Sequence, residues 1–424
     1  MSTGLTPDLG DPEVLARLFA PAADQSAIGL AVSGGRDSLS LMLLAQRWAS
    51  ALDTPPRLIV YSLDHGLRPE AAGEVEMVLR EAEKLGLAAR GLSWTGDKPE
   101  TGLQEAARQA RYRIIGEAMQ ADGANVLLTA HHRADQAETV LMRLAHGSGI
   151  EGLKGMNALS QVEGVAVFRP LLDVEPASMA LIVEEAGLAP VTDPSNADLA
   201  YERVRWRKRL PLLAEDGLDS ATLARFATRM AEADLALTQM ADAAFAELVA
   251  LDGFGAANMP QAAFHALSPA IGRRVLARTL NIVGGRQKPR ALGQIEKLYD
   301  QIALGDLPGA ATLLGAVVRL KGQNLTISRE PGRALPEACV LGPHQKLVWD
   351  QRFLITNLSD TTGLMAGATD FMPRHRLEHF LGFKVTTPAE AIRTAPLVRD
   401  AEGEILSLGG WSFDDRISVE LLVD

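Results

Sequence analysis

The chain has 424 residues, of which 47% are hydrophobic and 22% charged, and its formal net charge is -11. This length exceeds what one hydrophobic core usually supports, and the composition excludes a disordered chain. The single cysteine, Cys339, excludes a disulfide framework and a cysteine-based zinc site within one chain.

The charge distribution and the N-terminus bear on partners and location. A negative average disfavours a nucleic-acid partner, but residues 203–209 form a run rich in arginine. The sequence has neither a signal-peptide pattern nor an uncharged apolar stretch long enough to span a bilayer. We therefore expect a cytoplasmic protein with no membrane partner.

Short apolar runs alternate with helix-period segments through the first two hundred residues, which predicts a parallel sheet covered by helices. We expect one helix from Ser38 to Ala49, and another that opens with a capping box at Thr101 and Gln104 and ends at Asp122. The predicted strands are Ile28 to Val32, Leu58 to Leu63, Ala88 to Trp94, Val126 to Thr129 and Val165 to Phe168.

A glycine-rich segment, Ser33-Gly34-Gly35-Arg36-Asp37-Ser38, joins the first predicted strand to the first helix. Glycines let backbone amides close around phosphate oxygens, and a helix N-terminus adds positive potential. We predict that these six residues bind ATP, with a tight turn and N-cap as the alternative. No lysine follows the glycines to serve terminal phosphates, so pyrophosphate is the expected leaving group. Asp37 would hold Mg²⁺ or the incoming group.

Acidic and histidine side chains follow the fourth predicted strand. Asp135 and Glu138 are spaced to share one helix face, and His131 lies just upstream beside His132. These groups could hold an ammonium, bind Mg²⁺ at Asp135, or accept a proton. We predict catalytic roles for Asp37, His131, Asp135 and Glu138; packing, capping and helix-dipole effects are the alternatives.

Arginines on two segments are candidates for phosphate or RNA contact. One pair follows Gln104 on the predicted helix, and the second set alternates with Val204 and Trp206, which would add a stacking ring. Ion pairs on a helix surface are the alternative. The candidates are Arg108, Arg111, Arg203, Arg205 and Arg207.

The segment Gly147 to Gly152 fits the dinucleotide-binding pattern G-x-G-x-x-G. That pattern must follow a strand, whereas this one follows a helix predicted to end near Ala145. We expect a helix stop and a flexible loop at the site instead.

Helical periodicity dominates from about Leu218, and strand signals return only at Thr312 to Leu320 and Leu325 to Ser328. Helices are expected to about Asp252, from Pro260 to Ile282 and from Ala291 to Ile302. The predicted domains are a parallel-sheet nucleotide-binding domain at 1–215, a mainly helical domain at 216–330 and a small α+β domain at 336–424.

Further motifs follow the glycine-rich segment in order, and together they resemble the tRNA(Ile)-lysidine synthase family of N-type ATP pyrophosphatases over about residues 25–215. The resemblance implies an adenine nucleotide α-hydrolase-like α/β fold in a PP-loop ATP pyrophosphatase domain at 1–215. A mainly helical tRNA-binding domain at 216–330 and the small C-terminal domain would follow. The motifs are Asp64-His65-Gly66-Leu67-Arg68, Glu105-x-x-Arg108-x-x-Arg111-Tyr112, His131-His132 with Asp135-Gln136-x-Glu138, Gly149-Ile150-x-Gly152-Leu153, Arg169-Pro170-Leu171-Leu172, Asp193-Pro194-Ser195-Asn196 and Tyr201-x-Arg203.

The resemblance implies adenylation of the wobble cytidine in the CAU anticodon of tRNA(Ile), then attack by free L-lysine and release of AMP. ATP and Mg²⁺ would be the cofactors, and a homodimer is one oligomeric state left open. The family usually has paired acids where this chain has Ala134-Asp135, and asparagine where it has Val204. The first of these departures, at Ala134, leaves open whether one candidate lysine or metal contact of the family is made here.

Three alternatives remain at this point. A tRNA thiolation enzyme shares the loop but needs catalytic cysteines, which a lone Cys339 does not supply. A ligase acting on a small carboxylate would release pyrophosphate without tRNA. A non-enzymatic RNA-binding protein would form no AMP.

Overall fold

The computed structural model describes residues 8–96, 98–99, 101–191, 198–285, 291–332, 335–369 and 372–423. They form two compact units, Met1–Asp234 and Leu235–Asp424. The motif at 193–196 lies outside the described residues. The three predicted domains remain a prediction.

One mostly parallel sheet forms the centre of the first unit, which confirms the predicted α/β fold. Its strands are β1 Ala27–Ala31, β2 Arg57–Asp64, β3 Ala88–Ser93, β4 Val126–Leu128, β5 Leu159–Val162 and β6 Val165–Phe168. Their order is β3-β2-β1-β4-β6-β5, and β5 is antiparallel to β6. We had not predicted β5, because none of its residues is fully buried and its apolar signal is weak.

Helices cover both faces of this sheet. Ile28 and Leu30 of β1 pack in a cluster with α2, whereas Ile59 and Tyr61 of β2 pack with Ile115 on the other face. The helices of this unit are α1 Pro12–Phe19, α2 Arg36–Ser50, α3 Ala71–Lys84, α4 Leu103–Asp122, α5 Arg133–Ala145, α6 Ile150–Leu153, α7 Pro176–Glu185 and α8 Glu202–Glu215, with a 3₁₀ turn at Ala20–Ala22. The long helix α9 Ser220–Leu248 begins in the first unit and ends in the second, and its residues Leu223 and Ala227 pack with α5.

The start of α4 differs from the prediction. The helix begins at Leu103, after Gly102, whose φ of 68° is left-handed and which makes no side-chain cap. The capping box predicted at Thr101 is therefore wrong. A glycine provides the turn into the helix, because other residues adopt this conformation at a cost.

The order of the strands decides which loops meet. Strands β1 and β4 are parallel neighbours, with Leu30 opposite Leu128. The segments that follow Ala31 and Leu128 therefore leave the same edge of the sheet side by side. This brings the glycine-rich loop next to the two histidines.

The second unit contains three sheets and the remaining helices. Its strands are β7 Ala250–Leu251, β8 Ala257–Pro260, β9 Ala311–Leu313, β10 Ala316–Lys321, β11 Asn324–Arg329, β12 Cys339–Leu341, β13 Lys346–Trp349, β14 Phe353–Asn357, β15 Leu364–Ala368, β16 Pro396–Arg399, β17 Ile405–Leu408, β18 Trp411–Ser412 and β19 Ile417–Leu421. The sheet orders are β7-β8-β11-β10-β9, β12-β15-β16-β17-β18 and β13-β14-β19. The helices are α10 Gln261–His265, α11 Pro269–Gly284, α12 Leu292–Leu304, α13 Arg374–Leu381 and α14 Ala389–Thr394.

Three expectations for this unit were wrong. Strands β7 and β8 lie where we expected none. The strand predicted from Thr312 to Leu320 is a hairpin, because Leu314 and Gly315 both have positive φ and form a turn. The helix predicted from Pro260 is two helices, the second of which begins at Pro269. Within the described ranges, no helix has both the length and the apolar composition needed to cross a membrane.

Candidate functional site

The glycine-rich loop is a short turn between β1 and α2. Gly35 is the N-cap residue of α2, and Gly34 has a φ of 80°. The carbonyl of Gly34 accepts a hydrogen bond from the N–H of Val191 at 2.9 Å. A hydrogen bond from Val191, which lies far from the loop in the sequence, therefore helps to fix the conformation of the loop.

The two serines brace the loop from within. Ser38 Oγ donates to the carbonyl of Gly35 at 2.9 Å and accepts from the N–H of Ser33 at 3.2 Å. Ser33 Oγ lies 3.4 Å from the same hydroxyl. These hydrogen bonds hold the turn in one conformation, which suits a preorganised anion site.

We expect Gly34→Ala to lower the free energy of unfolding by about 1–2 kcal/mol, because its backbone is left-handed. The added Cβ would also meet the Met77 side chain at 3.0 Å and Val78 at 3.3 Å. Gly35→Ala is the matched control, since its φ is -71° and the nearest atom would lie 3.8 Å away. Urea unfolding without nucleotide checks this, and equal losses for both variants would contradict it.

Asp37 extends from the first turn of α2 with its side chain 39% exposed. Its Oδ2 lies 3.5 Å from His132 Nε2. Its Oδ1 is buried and has no hydrogen-bond partner among the described residues. Burial alone would raise the pKa of the Asp37 carboxyl, but the hydrogen bond and charge of His132, with Arg36 and Arg207, hold it below the usual range. The carboxylate is therefore charged at neutral pH.

His132, which we had not predicted to be catalytic, is the histidine that reaches the loop. It is the N-cap of α5 in a reciprocal capping box with Asp135. Burial opposes its protonation, but its hydrogen bond to Asp37 and the charges of Asp135, Asp37 and Glu138 raise its pKa. The spacing from His132 to Asp135 was the sequence signal that could have identified it.

His131, which we had predicted to be catalytic, faces a different group. Its Nδ1 lies 2.9 Å from Thr129 Oγ1. Burial lowers the pKa of His131 to about 3, with the charges of Arg169, Arg203 and Arg108 acting in the same direction against Asp135. Its imidazole is therefore neutral at physiological pH, and its catalytic role remains a prediction.

The low pKa of His131 makes stability depend on pH. Between about pH 3 and the ordinary histidine value of about 6.5, the unfolded chain binds a proton that the folded chain does not. The free energy of unfolding should therefore fall as the pH falls, by up to about 1.4 kcal/mol per pH unit from this group. In urea titrations, the free energy of unfolding of His131→Asn should rise relative to that of the wild type as the pH falls below about 6.5. A pH-independent difference between the two would contradict this.

Asp135 and Glu138 are paired with two arginines of α8. Glu138, with a side chain 1% exposed, accepts from Arg203 Nε and Arg207 Nε, each at 2.6 Å. Asp135 Oδ1 accepts from Arg203 Nη2 at 2.9 Å, and its Oδ2 accepts from the N–H of His132 at 3.0 Å. We call these four side chains the acid–arginine cluster. Its formal charges cancel.

The helical period explains which arginines join this cluster. Arg203 and Arg207 are four apart and share one face of α8, whereas Arg205 donates to the carbonyls of Leu199 and Ala200 at 3.0 and 2.8 Å. Val204, which follows Arg203 on the same helix, is buried, with 8% of the residue exposed. An apolar side chain therefore fits where the resembling family has asparagine.

The other two predicted arginines lie on α4. The guanidinium of Arg108 stacks 5.1 Å from the centre of the Tyr112 ring, and Arg111 Nη2 lies 3.2 Å from His65 Nε2. Both side chains are exposed. Contact of these arginines with RNA or substrate remains a prediction.

The segment after α5, for which we expected a helix stop and a flexible loop, makes hydrogen bonds to α5. It begins with Gly147 at a φ of 68° and contains the short helix α6. Arg143 Nη1 donates to the carbonyl of Gly152 at 2.7 Å, and Gln136 Oε1 accepts from the N–H of Met156 at 2.7 Å. Side chains of α5 therefore fasten this segment.

The residues present fit a magnesium ion at Asp37 better than at Asp135. Mg²⁺ prefers carboxylate, phosphate and water oxygens, and the buried Asp37 Oδ1 accepts no hydrogen bond from the described residues, although Arg36 Nε lies 3.8 Å away. Both Asp135 oxygens already accept hydrogen bonds. The described part of the chain contains no group of three or more His, Cys, Asp or Glu arranged to hold a metal.

The parallel sheet and the braced loop define an ATP-binding protein of the PP-loop class, and the family model for the PP-loop domain matches residues 11–213. A tRNA(Ile)-lysidine synthase from Rhodopseudomonas palustris is 47% identical over 327 residues, covering 75% of this chain and 94% of that protein. The synthase from Bradyrhizobium diazoefficiens is 43% identical over 338 residues, covering 75% and 93%. The chain belongs to the tRNA(Ile)-lysidine synthase family.

Among solved structures, the tRNA thiolase NcsA from Methanococcus maripaludis has a TM-score of 0.45 at 16% identity, covering 52% of this chain and 78% of that one. A likeness this weak adds nothing to the assignment.

Proposed function

We propose that this chain joins lysine to the wobble cytidine of the CAU anticodon of tRNA(Ile), forming lysidine through an adenylated cytidine and releasing AMP and pyrophosphate. Membership of the tRNA(Ile)-lysidine synthase family supports this function. The observation that carries it is the loop at residues 33–38, which is braced by two serines and has no lysine after its glycines.

The loop would act by binding the triphosphate through amides and hydroxyls. Such donors can hold the departing pyrophosphate while the base oxygen attacks the first phosphorus. Asp37 would hold Mg²⁺ together with phosphate oxygens, and the ion would neutralise charge on the leaving group. Arg36, a residue of the loop whose side chain is 54% exposed, adds positive charge.

The lysine nucleophile must lose a proton, because its ε-ammonium has a pKa of about 10.4. Asp135 and Glu138 are the predicted ammonium contacts, but both already accept from guanidinium groups. An ammonium can bind there only by displacing one of these groups, so lysine binding would move a side chain of α8. His131, with its pKa lowered to about 3, is a weak base for this step.

The charge of the cluster also bears on RNA contact. Because Arg203 and Arg207 are paired with Asp135 and Glu138, they offer less net charge to phosphates than the sequence suggests. We propose that the RNA contacts come from the exposed Arg108 and Arg111 of α4, together with Arg205 of α8. A homodimer and a cytoplasmic location remain predictions from the sequence.

The deciding experiment supplies ATP, lysine and an unmodified CAU transcript to the purified chain. We expect AMP and pyrophosphate in equal amounts and a lysine-sized mass increase on the RNA. Omitting the transcript should abolish AMP formation. Release of ADP and orthophosphate would refute the proposal, and AMP formation without tRNA would indicate a ligase of small carboxylates.

A further inference from the structure

His132 links the ATP loop to the start of α5 through both nitrogens of its ring. Nε2 lies 3.5 Å from Asp37 Oδ2, and Nδ1 accepts from the backbone N–H of Asp135 at 3.4 Å. The N–H of His132 donates in turn to Asp135 Oδ2 at 3.0 Å. His132 is 6% exposed. The Nδ1 edge of its ring contacts the start of α5, and the Nε2 edge faces the loop.

Nδ1 also lies 3.4 Å from Asp135 Oδ2, so this nitrogen faces both a donor and an acceptor of Asp135. Nε2 faces the Asp37 carboxylate, which can only accept, so a proton on Nε2 is the one that this contact uses. Nε2 therefore donates toward Asp37 Oδ2. One oxygen of Asp37 is thus held, whereas the buried Oδ1 accepts no hydrogen bond from the described residues and lies 3.8 Å from Arg36 Nε.

We propose that His132 is a positioning residue, which aims the Asp37 carboxylate at the ATP phosphates from a ring fixed by the start of α5. The inference rests on the proposed function and adds a residue to it. Asp37 is partly exposed in the first turn of α2, so its side chain has room to rotate without this contact.

Two substitutions separate positioning from helix capping. Asparagine places an acceptor where Nδ1 lies and is a preferred N-cap, but its side chain is too short to reach Asp37. Glutamine places an amide nitrogen as far from Cα as Nε2 and can donate to Asp37, but it is a poor N-cap. The pair therefore removes one role at a time.

The test measures kcat for AMP formation, ATP affinity and Tm in full-length wild type, His132→Asn and His132→Gln. For His132→Asn we expect kcat about 100-fold lower, as misplacement of a reacting group costs. Its ATP affinity should stay within about threefold and its Tm should not change. For His132→Gln we expect a Tm roughly 2–4 °C lower and kcat within about tenfold of wild type.

A purely structural role predicts the reverse, with an active asparagine variant and a glutamine variant impaired in line with its Tm. That result would overturn the inference. In an Asp37→Asn background, His132→Asn should lower kcat by less than about threefold, because both residues act through one carboxylate. Losses that multiply would also overturn it.

The wild type alone decides the proposed function. If it formed AMP on an acceptor other than tRNA, that function would fail. The same kcat ratios would then be measured on that acceptor, and they would still decide the role of His132.

Discussion

Asp37→Asn should lower kcat for AMP formation by about 10²–10³-fold, the loss typical of removing one charge-stabilising group from a preorganised site. The substitution removes the one charge of a carboxylate whose Oδ1 is buried and has no hydrogen-bond partner in the described structure. The fold should persist, because the side chain is 39% exposed and not part of the core. Steady-state AMP formation and circular dichroism check these two expectations.

Glu13→Gln is the matched control for Asp37→Asn. Glu13 is also a first-turn carboxylate, in α1, and it is exposed. Both variants lose a favourable interaction with a helix dipole, about 0.3–1 kcal/mol, but only Asp37 belongs to the loop. A similar fall in kcat in both variants would show that the effect is one of helix stability.

Replacing both Arg203 and Arg207 with methionine should lower the free energy of unfolding by about 3–5 kcal/mol. The reason is the buried Glu138, whose side chain is 1% exposed and whose charge these two guanidiniums neutralise. A buried carboxylate without a partner costs far more than a lost surface ion pair. Urea unfolding of the double variant measures the loss.

Adding Glu138→Met to that double variant should restore most of the stability, because a well-packed apolar side chain can replace a buried ion pair. Arg205→Met is the control on the same helix. Among the described residues its guanidinium donates to the carbonyls of Leu199 and Ala200 and to no carboxylate, so we expect a smaller loss. If the triple variant were no more stable than the double, the charge of Glu138 would not be the cause.

Sequence patterns identified most of the residues of the site but not their partners. The loop at 33–38 was predicted in place, because glycine spacing and an adjoining apolar strand are local features. The arginines of α8 were predicted to contact RNA and the acids of α5 to contact lysine. In the structure they contact one another, although 65 residues separate Arg203 from Glu138.

The histidine that contacts Asp37 was also not identified from the sequence, because this contact depends on tertiary structure. Adjacent residues at a helix start point in different directions, so His132 caps α5 and reaches Asp37, whereas His131 turns to Thr129. Neither direction can be read from composition or period. It depends on where β4 ends beside β1.

By itself, the sequence determined the parallel-sheet unit, the loop and the family, since each depends on local apolar runs, glycines and motif order. Only the tertiary structure decided β5, β7 and β8, the pairing of acids with arginines and the position of His132. Short, weakly apolar strands form because a neighbouring strand supplies their hydrogen bonds, and ion pairs form because two helix faces meet. Both causes act between residues far apart in the chain, where no local pattern records them.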